Sequence, residues 1–280
     1  MPDDKGFAPY LARWGLTADG AAIGTHAAHL LPVRRGAWPL MLRIAAASDE
    51  AADTARRAAR LMAWWNGEGA ARVVAREGGA LLMDRATGSR RLADMARGGQ
   101  DDPACRILCD VAARLHTPRP APPPAGLMPL DRWFRDLWGF ADAQGGIAAQ
   151  SALAARALLA DPQDIRPLHG DLHHGNVLDF GARGWLAIDP HALLGERGFD
   201  FANIFTNPDL DDPTQPVATR PQVFAARVAL VSGAARIDRD RLLRWILAFS
   251  GLSAAWFAQD DDPLIEIDLT VARMAAAALA

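Results

Sequence analysis

Lysine is nearly absent from this chain: of its 30 basic residues only Lys5 is not an arginine. The bias runs through the whole sequence, so it reads as a composition effect and marks no site. Acids exceed bases, 33 to 30, for a net charge of -3, which excludes the basic surplus of a dedicated nucleic-acid binder. Cysteine is reduced to Cys105 and Cys109, four apart in a helical pattern. Two thiols so placed read as small buried hydrophobes in a reducing compartment. No uninterrupted apolar run reaches the ~18 residues of a membrane span, so no membrane partner is expected. The opening MPDDKGFAPY is acidic and lacks an apolar core, so it reads as no signal peptide, and the expected location is the cytoplasm. There is no GxGxxG loop and no internal repeat. What is present is bulk: 280 residues, half of them hydrophobic, are enough for a sizeable core in one large domain or two lobes.

The densest collection of chemistry-bearing residues is HGDLHHGNVLDFGARGWLAIDP, residues 169–190. Val177 to Phe180 and Trp185 to Ile188 are β-prone apolar runs, and Gly181-Ala182-Arg183-Gly184 is the turn between them. A hairpin brings its ends together, so Asn176 and Asp189 are expected side by side. Two oxygen donors so placed suit Mg²⁺, a hard cation that takes carboxylate and amide oxygen. Asp171, just upstream on a Gly- and His-rich loop, can then orient or deprotonate a hydroxyl, as in phosphoryl transfer. Two rival readings stand beside this one. His169, His173 and His174 could join Asp171 in a zinc-type cluster, which leaves Asn176 and Asp189 unexplained. The stretch could also be a surface loop without chemistry.

The pattern HGDxxxxN with a downstream IDP resembles the aminoglycoside phosphotransferases, relatives of the protein kinases. A second stretch, AWWNGEGAARVVAREGGALLMDRA, resembles their streptomycin and hydroxyurea kinase branch. The specific motifs lie in residues 64–86 and 169–207. The resemblance implies an α+β, protein-kinase-like fold: an N-lobe of strands with one long helix over residues 1–85, and a mainly helical C-lobe over 86–280. It implies Asp171 as base, Asn176 and Asp189 as Mg²⁺ ligands, and His169 as a structural partner of the loop. The adenine of ATP would meet the backbone carbonyl of Asp84 and the N–H of Ala86 at the hinge. The turn Gly24-Thr25-His26-Ala27 would cover the phosphates.

Along the chain, Ser48 to Trp65 reads as a helix with Ser48 as N-cap. Trp38 to Ile44 reads as a strand with Leu40, Leu42 and Ile44 on one face and Met41 and Arg43 on the other. After a Pro-rich connection at 117–129, Leu130 to Phe140 reads as one helix whose Trp133 and Trp138 are core or wall the acceptor pocket. Asp200 is suited to cap a short helix and to accept N–H groups of the catalytic loop. Asp209, Asp211, Asp212, Asp260, Asp261, Asp262, Glu266 and Asp268 offer charge to a cationic acceptor, with solvated loops as their ordinary home. Two positions depart from the family pattern. Its phosphate-contacting lysine falls on Arg43, and the glutamate that pairs with that lysine falls near Ala58, with Glu50 and Asp53 the nearest acids. The function implied is an ATP- and Mg²⁺-dependent kinase of a small-molecule hydroxyl, of the aminoglycoside type or acting on a metabolite alcohol. A nucleotide-binding pseudokinase with little turnover is the alternative that Arg43 and Ala58 raise.

Overall fold

The structure is a computed structural model that describes residues 6–25, 28–46 and 48–280, the side chains of Asp49 and Glu50 excepted. His26, Ala27 and Glu50 therefore lie outside what is described. The chain runs α1 (Ala8–Trp14), β1 (Thr17–Ala18), β2 (Ile23–Gly24), β3 (Ala28–Arg35), β4 (Trp38–Ala45), α2 (Asp49–Trp65), β5 (Val73–Glu77) and β6 (Ala80–Asp84). It continues with α3 (Leu92–Arg97), α4 (Asp101–His116), β7 (Met128–Pro129), α5 (Leu130–Trp133), α6 (Arg135–Gln144), α7 (Gly146–Ala160), β8 (Ile165–Leu168), β9 (Val177–Asp179), β10 (Trp185–Ala187) and β11 (Leu193–Glu196). Then come α8 (Phe199–Ala202), α9 (Pro221–Ala235), α10 (Arg239–Gln259) and α11 (Ile265–Leu279). Strands dominate up to Asp84 and helices afterwards, an α+β architecture.

The N-terminal sheet has the order β1-β3-β4-β6-β5, with β2 also paired to β3. The period-2 pattern of β4 decides its two faces. Leu40 and Leu42 join Phe7, Leu31, Val33 and Leu82 in a small core beneath α1. Met41, Leu81 and Met83 point the other way, toward Met62 and Trp65 of α2 and the main core. Arg43 shares this second face. The helix α2 begins where Ser48 accepts the Ala51 amide at 3.1 Å and ends at Asn66 in the left-handed region, φ 49°.

Trp65, at the last turn of α2, joins the two halves. It is fully buried, donates from Nε1 to the Leu115 carbonyl of α4 at 3.1 Å, and stacks on His169 with 6.3 Å between ring centroids. The C-terminal part packs α10 against α11 and α7 around Trp245, Phe249 and Phe134.

Four details differ from the sequence reading. Leu130 to Phe140 breaks at Phe134 into α5 and α6, because Phe134 is pinned in the core against Phe199 and Trp245. The turn of the β9–β10 hairpin is a 3-10 turn over Gly181–Arg183, so Phe180 leaves the strand. Asp200 does not cap α8: Gly198 holds that place, and Asp200 lies inside the helix. A three-stranded sheet, β7-β11-β8, is built from runs too short to announce themselves. The thiols of Cys105 and Cys109 are buried and free.

Replacing Trp65 tests the junction. Trp65→Ala leaves a cavity and removes one of the two side-chain donors to the Leu115 carbonyl, Arg119 Nη1 remaining at 2.9 Å, and should cost about 3–5 kcal/mol in urea unfolding. Trp65→Phe keeps most of the volume and should lose much less. Equal losses would show that the indole adds no packing of its own.

Candidate active site

The site is assembled on the loop between β8 and β9. Its anchor is Asp200, a carboxylate 1% exposed. Asp200 accepts the His169 amide at 2.9 Å on Oδ2, the Gly170 amide at 2.7 Å on Oδ1, and His116 Nε2 at 2.8 Å. Burying a carboxylate this deeply is tolerable only with such a full set of donors. His116, on α4, carried no signal in the sequence because its partner lies 84 residues away.

His169 then sets the loop's path. Its Nε2 lies 2.8 Å from the Ile188 carbonyl and must carry the proton. Its Nδ1 accepts the Asp171 amide at 3.2 Å. The Nδ1 contact requires the neutral ring, and burial pushes its pKa down. Gly170 follows at φ +84°, where a Cβ would lie 2.7 Å from Leu193. Only glycine fits that conformation and that space.

The loop delivers Asp171 half-buried, with both carboxylate oxygens held. Asn176 Nδ2 donates to Oδ2 at 2.8 Å and to the Asp171 carbonyl at 2.9 Å. Asn203 Nδ2 donates to Oδ1 at 2.7 Å. His173 and His191 stand 3.6 and 3.9 Å from Oδ2. Burial alone would raise the carboxyl pKa, but His173 foremost, with His191 and His169, holds it well below the usual carboxylate range. Asp171 is thus ionised at any working pH. His174, by contrast, is fully buried with both ring nitrogens unpartnered, and burial first, then Arg227, keeps it neutral. It is a packing residue of the loop.

Because the Asn176 nitrogen is committed twice to Asp171, its amide oxygen is left over as a donor to a hard cation. The Ile188 amide donates to the Asn176 carbonyl at 2.9 Å, which sets Asp189, the next residue, beside Asn176. Asp189 has φ 55°, an uncommon conformation for an L residue that persists where the surroundings enforce it. Its carboxylate meets Arg43 Nη2 at 3.2 Å. Among the described residues this is the one acid paired with Arg43, and Ala58 in α2 offers none. No three His, Cys, Asp or Glu side chains among the described residues come together as a metal cluster; the Asn176 amide oxygen and the Asp189 carboxylate are oxygen donors that could hold a divalent cation.

At the end of β6 the side chain of Asp84 is buried between Trp38 Nε1, at 3.0 Å, Arg72, at 3.6 Å, and Arg183. Beyond it the Ala86 N–H donates to no group among the described residues. The backbone leaving β6 is thereby pinned on one side and open on the other.

A cavity of about 410 Å³ borders Asp171 and is lined by His173, His191, Asn203, Asp211 and Trp256 among others. Trp133 stands behind its aromatic wall, 4.9 Å from the His191 ring and 5.5 Å from Trp256. Of the acids expected in solvated loops, Asp211 lines this cavity, and two others are fully buried. Asp209 accepts the Val217, Ala218 and Thr219 amides, and Asp268 lies inside α11. His191, Asn203 and Trp256 were missed as site residues: histidine after IDP, an asparagine in an apolar helix and a helical tryptophan all read as structure.

Comparison with known proteins bears on this arrangement. Residues 13–261 match the family model described as "Aminoglycoside/hydroxyurea antibiotic resistance kinase". The chain is 55% identical to a streptomycin 3''-kinase of Klebsiella pneumoniae, over 95% of this chain and 98% of that protein. It is 32% identical to a streptomycin 6-kinase of Streptomyces glaucescens, over 91% of this chain and 83% of that protein. Among solved structures, a choline/ethanolamine kinase family protein from Mesorhizobium loti superposes with a TM-score of 0.68 at 14% identity, over 99% of this chain and 94% of that one. This last similarity is one of fold.

The histidines beside Asp171 give a pH prediction. Burial alone would lower the His173 pKa, but the Asp171 carboxylate outweighs it and raises the pKa above the ordinary value. A raised folded value means that the pair stabilises the protein below pH ~6.5, and that this contribution is lost as pH rises through the folded pKa. In Asp171→Asn burial is opposed only by the smaller pull of Asp211, so the His173 midpoint in an NMR titration should fall from its parent value. A midpoint that stays high would mean that some other group holds the proton.

Proposed function

The chain belongs to the aminoglycoside/hydroxyurea antibiotic resistance kinase family, and on that premise we propose that it transfers the γ-phosphoryl group of ATP to the 3''-hydroxyl of a streptomycin-type aminoglycoside. One observation carries the reading: the Asp171 carboxylate borders a cavity and is held by the Asn176 amide, and the Ile188–Asn176 hydrogen bond sets Asp189 next to Asn176. The position on the acceptor follows from the 55% identity to a streptomycin 3''-kinase.

In this reading Asp171 orients the acceptor hydroxyl and takes its proton. The Asn176 amide oxygen and the Asp189 carboxylate would hold Mg²⁺, which supplies positive charge against the triphosphate. Arg43 steadies the phosphates in place of the usual lysine, its guanidinium able to grip two oxygens at once. Its contact with Asp189 holds the side chain in the cleft, a role the missing helix glutamate has elsewhere in kinases. The Asp84 carbonyl and the Ala86 N–H meet the adenine where the N-lobe (residues 1–85) passes into the C-lobe (86–280). Asp211 and Trp256 give the acceptor cavity one acid and one aromatic face, suited to a cationic sugar.

The decisive experiment is ADP release with streptomycin, with the product's phosphorylated position read by NMR. Phosphate on the 3''-oxygen is expected; turnover with hydroxyurea or simple alcohols and none with streptomycin would replace the acceptor named here. Asp171→Ala should abolish transfer and leave nucleotide binding largely intact. Arg43→Ala should weaken nucleotide binding by about tenfold, the equivalent of ~1.4 kcal/mol. An unchanged nucleotide dissociation constant would remove Arg43 from the phosphate site.

A further inference from the structure

Two amide side chains orient the Asp171 carboxylate, and only one of them belongs to the sequence motif. Asn203 is 32 residues downstream, on the 3-10 turn Asn203–Phe205, and is buried. Its own amide can face only one way. Asn203 Oδ1 accepts Asn207 Nδ2 at 2.9 Å and the Thr206 hydroxyl at 3.3 Å. A flipped amide would set its NH₂ against the Asn207 donor and turn its oxygen toward the Asp171 carboxylate. Asn203 therefore presents Nδ2 to Asp171 Oδ1, at 2.7 Å.

The turn is itself anchored from the core. Arg227 of α9, 1% exposed, donates to the Ile204 carbonyl at 2.5 Å and to the Asn207 carbonyl at 2.7 Å. Its other nitrogens hold Asp101 of α4 at 2.6 and 3.0 Å. A continuous buried line thus runs from Asp101 through Arg227, Asn207 and Asn203 to the carboxylate. The orientation of Asp171 is dictated by the helical core as well as by its own loop.

We infer that Asn203 is a positioning residue that selects Oδ1 of Asp171 as the oxygen meeting the acceptor hydroxyl. The inference rests on the reading of Asp171 as base. Each carboxylate oxygen can accept about two hydrogen bonds. Oδ2 has Asn176 at 2.8 Å, with His173 and His191 crowding it at 3.6 and 3.9 Å. Among the described residues Oδ1 accepts Asn203 alone, and Asp171 and Asn203 both border the cavity. In the transfer the hydroxyl proton passes to Oδ1 and the acceptor oxygen bonds to the γ-phosphorus. The bond from that phosphorus to the bridging oxygen breaks, and its electron pair leaves with ADP. Without Asn203 the carboxylate keeps only the Asn176 hold on Oδ2 and can pivot about its Cβ–Cγ bond, and a misplacement on the order of 1 Å costs about 100-fold in rate.

The test compares Asn203→Ala, Asn203→Asp and Asp171→Ala in steady-state kinetics with ATP, Mg²⁺ and streptomycin, with MgADP binding by calorimetry. Asn203→Ala should lose about 100-fold in kcat, while both KM values and the MgADP dissociation constant stay within about threefold. Asn203→Asp keeps the side-chain shape but brings a second carboxylate to hydrogen-bond distance. Two carboxylates that close share a proton, so its kcat–pH profile should gain an ionisation that the parent lacks. A kcat within about threefold of the parent in Asn203→Ala, or a loss confined to KM, overturns the inference. If Asn203→Ala does not fold, a parent-like profile and kcat in Asn203→Asp overturns it equally. Should Asp171→Ala retain transfer, the assignment of the base falls, and this inference with it. A dead Asp171→Ala beside a normal Asn203→Ala removes the inference alone.

Discussion

The carboxylate of Asp200 receives the His169 and Gly170 amides and the His116 imidazole, and every other contact of the loop presupposes that anchorage. Hydrogen bonds to a buried charge are worth roughly 1.5–3 kcal/mol each, and leaving one unmade costs as much. Asp200 belongs to α8, His116 to the end of α4, and the two amides to the chain leaving β8. One side chain therefore ties three elements, remote in sequence, to a single point. From there His169 reaches the Ile188 carbonyl and brings the two arms of the hairpin motif into register.

Charge in the cleft is arranged with unusual economy. Asp171 is surrounded by amide donors and imidazoles, and Asp189 by one guanidinium. Neither carboxylate is left to repel the other without a counter-charge nearby. With alanine at position 58, Arg43 turns to Asp189 itself. Arginine at this position is a long, planar cation, and it reaches the Asp189 carboxylate from β4.

The cavity beside Asp171 draws on different material. Its wall of Trp256, Trp133 and His191 combines residues from α10, α5 and the segment after β10, and its polar floor comes from the turn after α8. Asn176 and Asp189 flank a single hairpin, whereas this cavity is built from side chains of scattered elements.

Local pattern was enough for much of this. The motif from His169 to Pro190 declares its own hairpin, Ser48 declares the start of α2, and the alternation of β4 declares which way Arg43 points. These are short-range effects, written in turn chemistry, caps and period. The α+β class followed from resemblance in the two motif regions, and the family comparison agrees with it. What tertiary structure alone decided is partnership. That Asp200 lies within α8 and does not cap it, that Asp209 and Asp268 are buried while Asp211 faces the cavity, and that Asn203 and His116 reach the catalytic loop all depend on packing between distant elements. An aspartate or asparagine reads the same in a solvated turn and in a buried network. The difference lies in which donors the fold brings within 3 Å or so, and no local stretch of sequence encodes that.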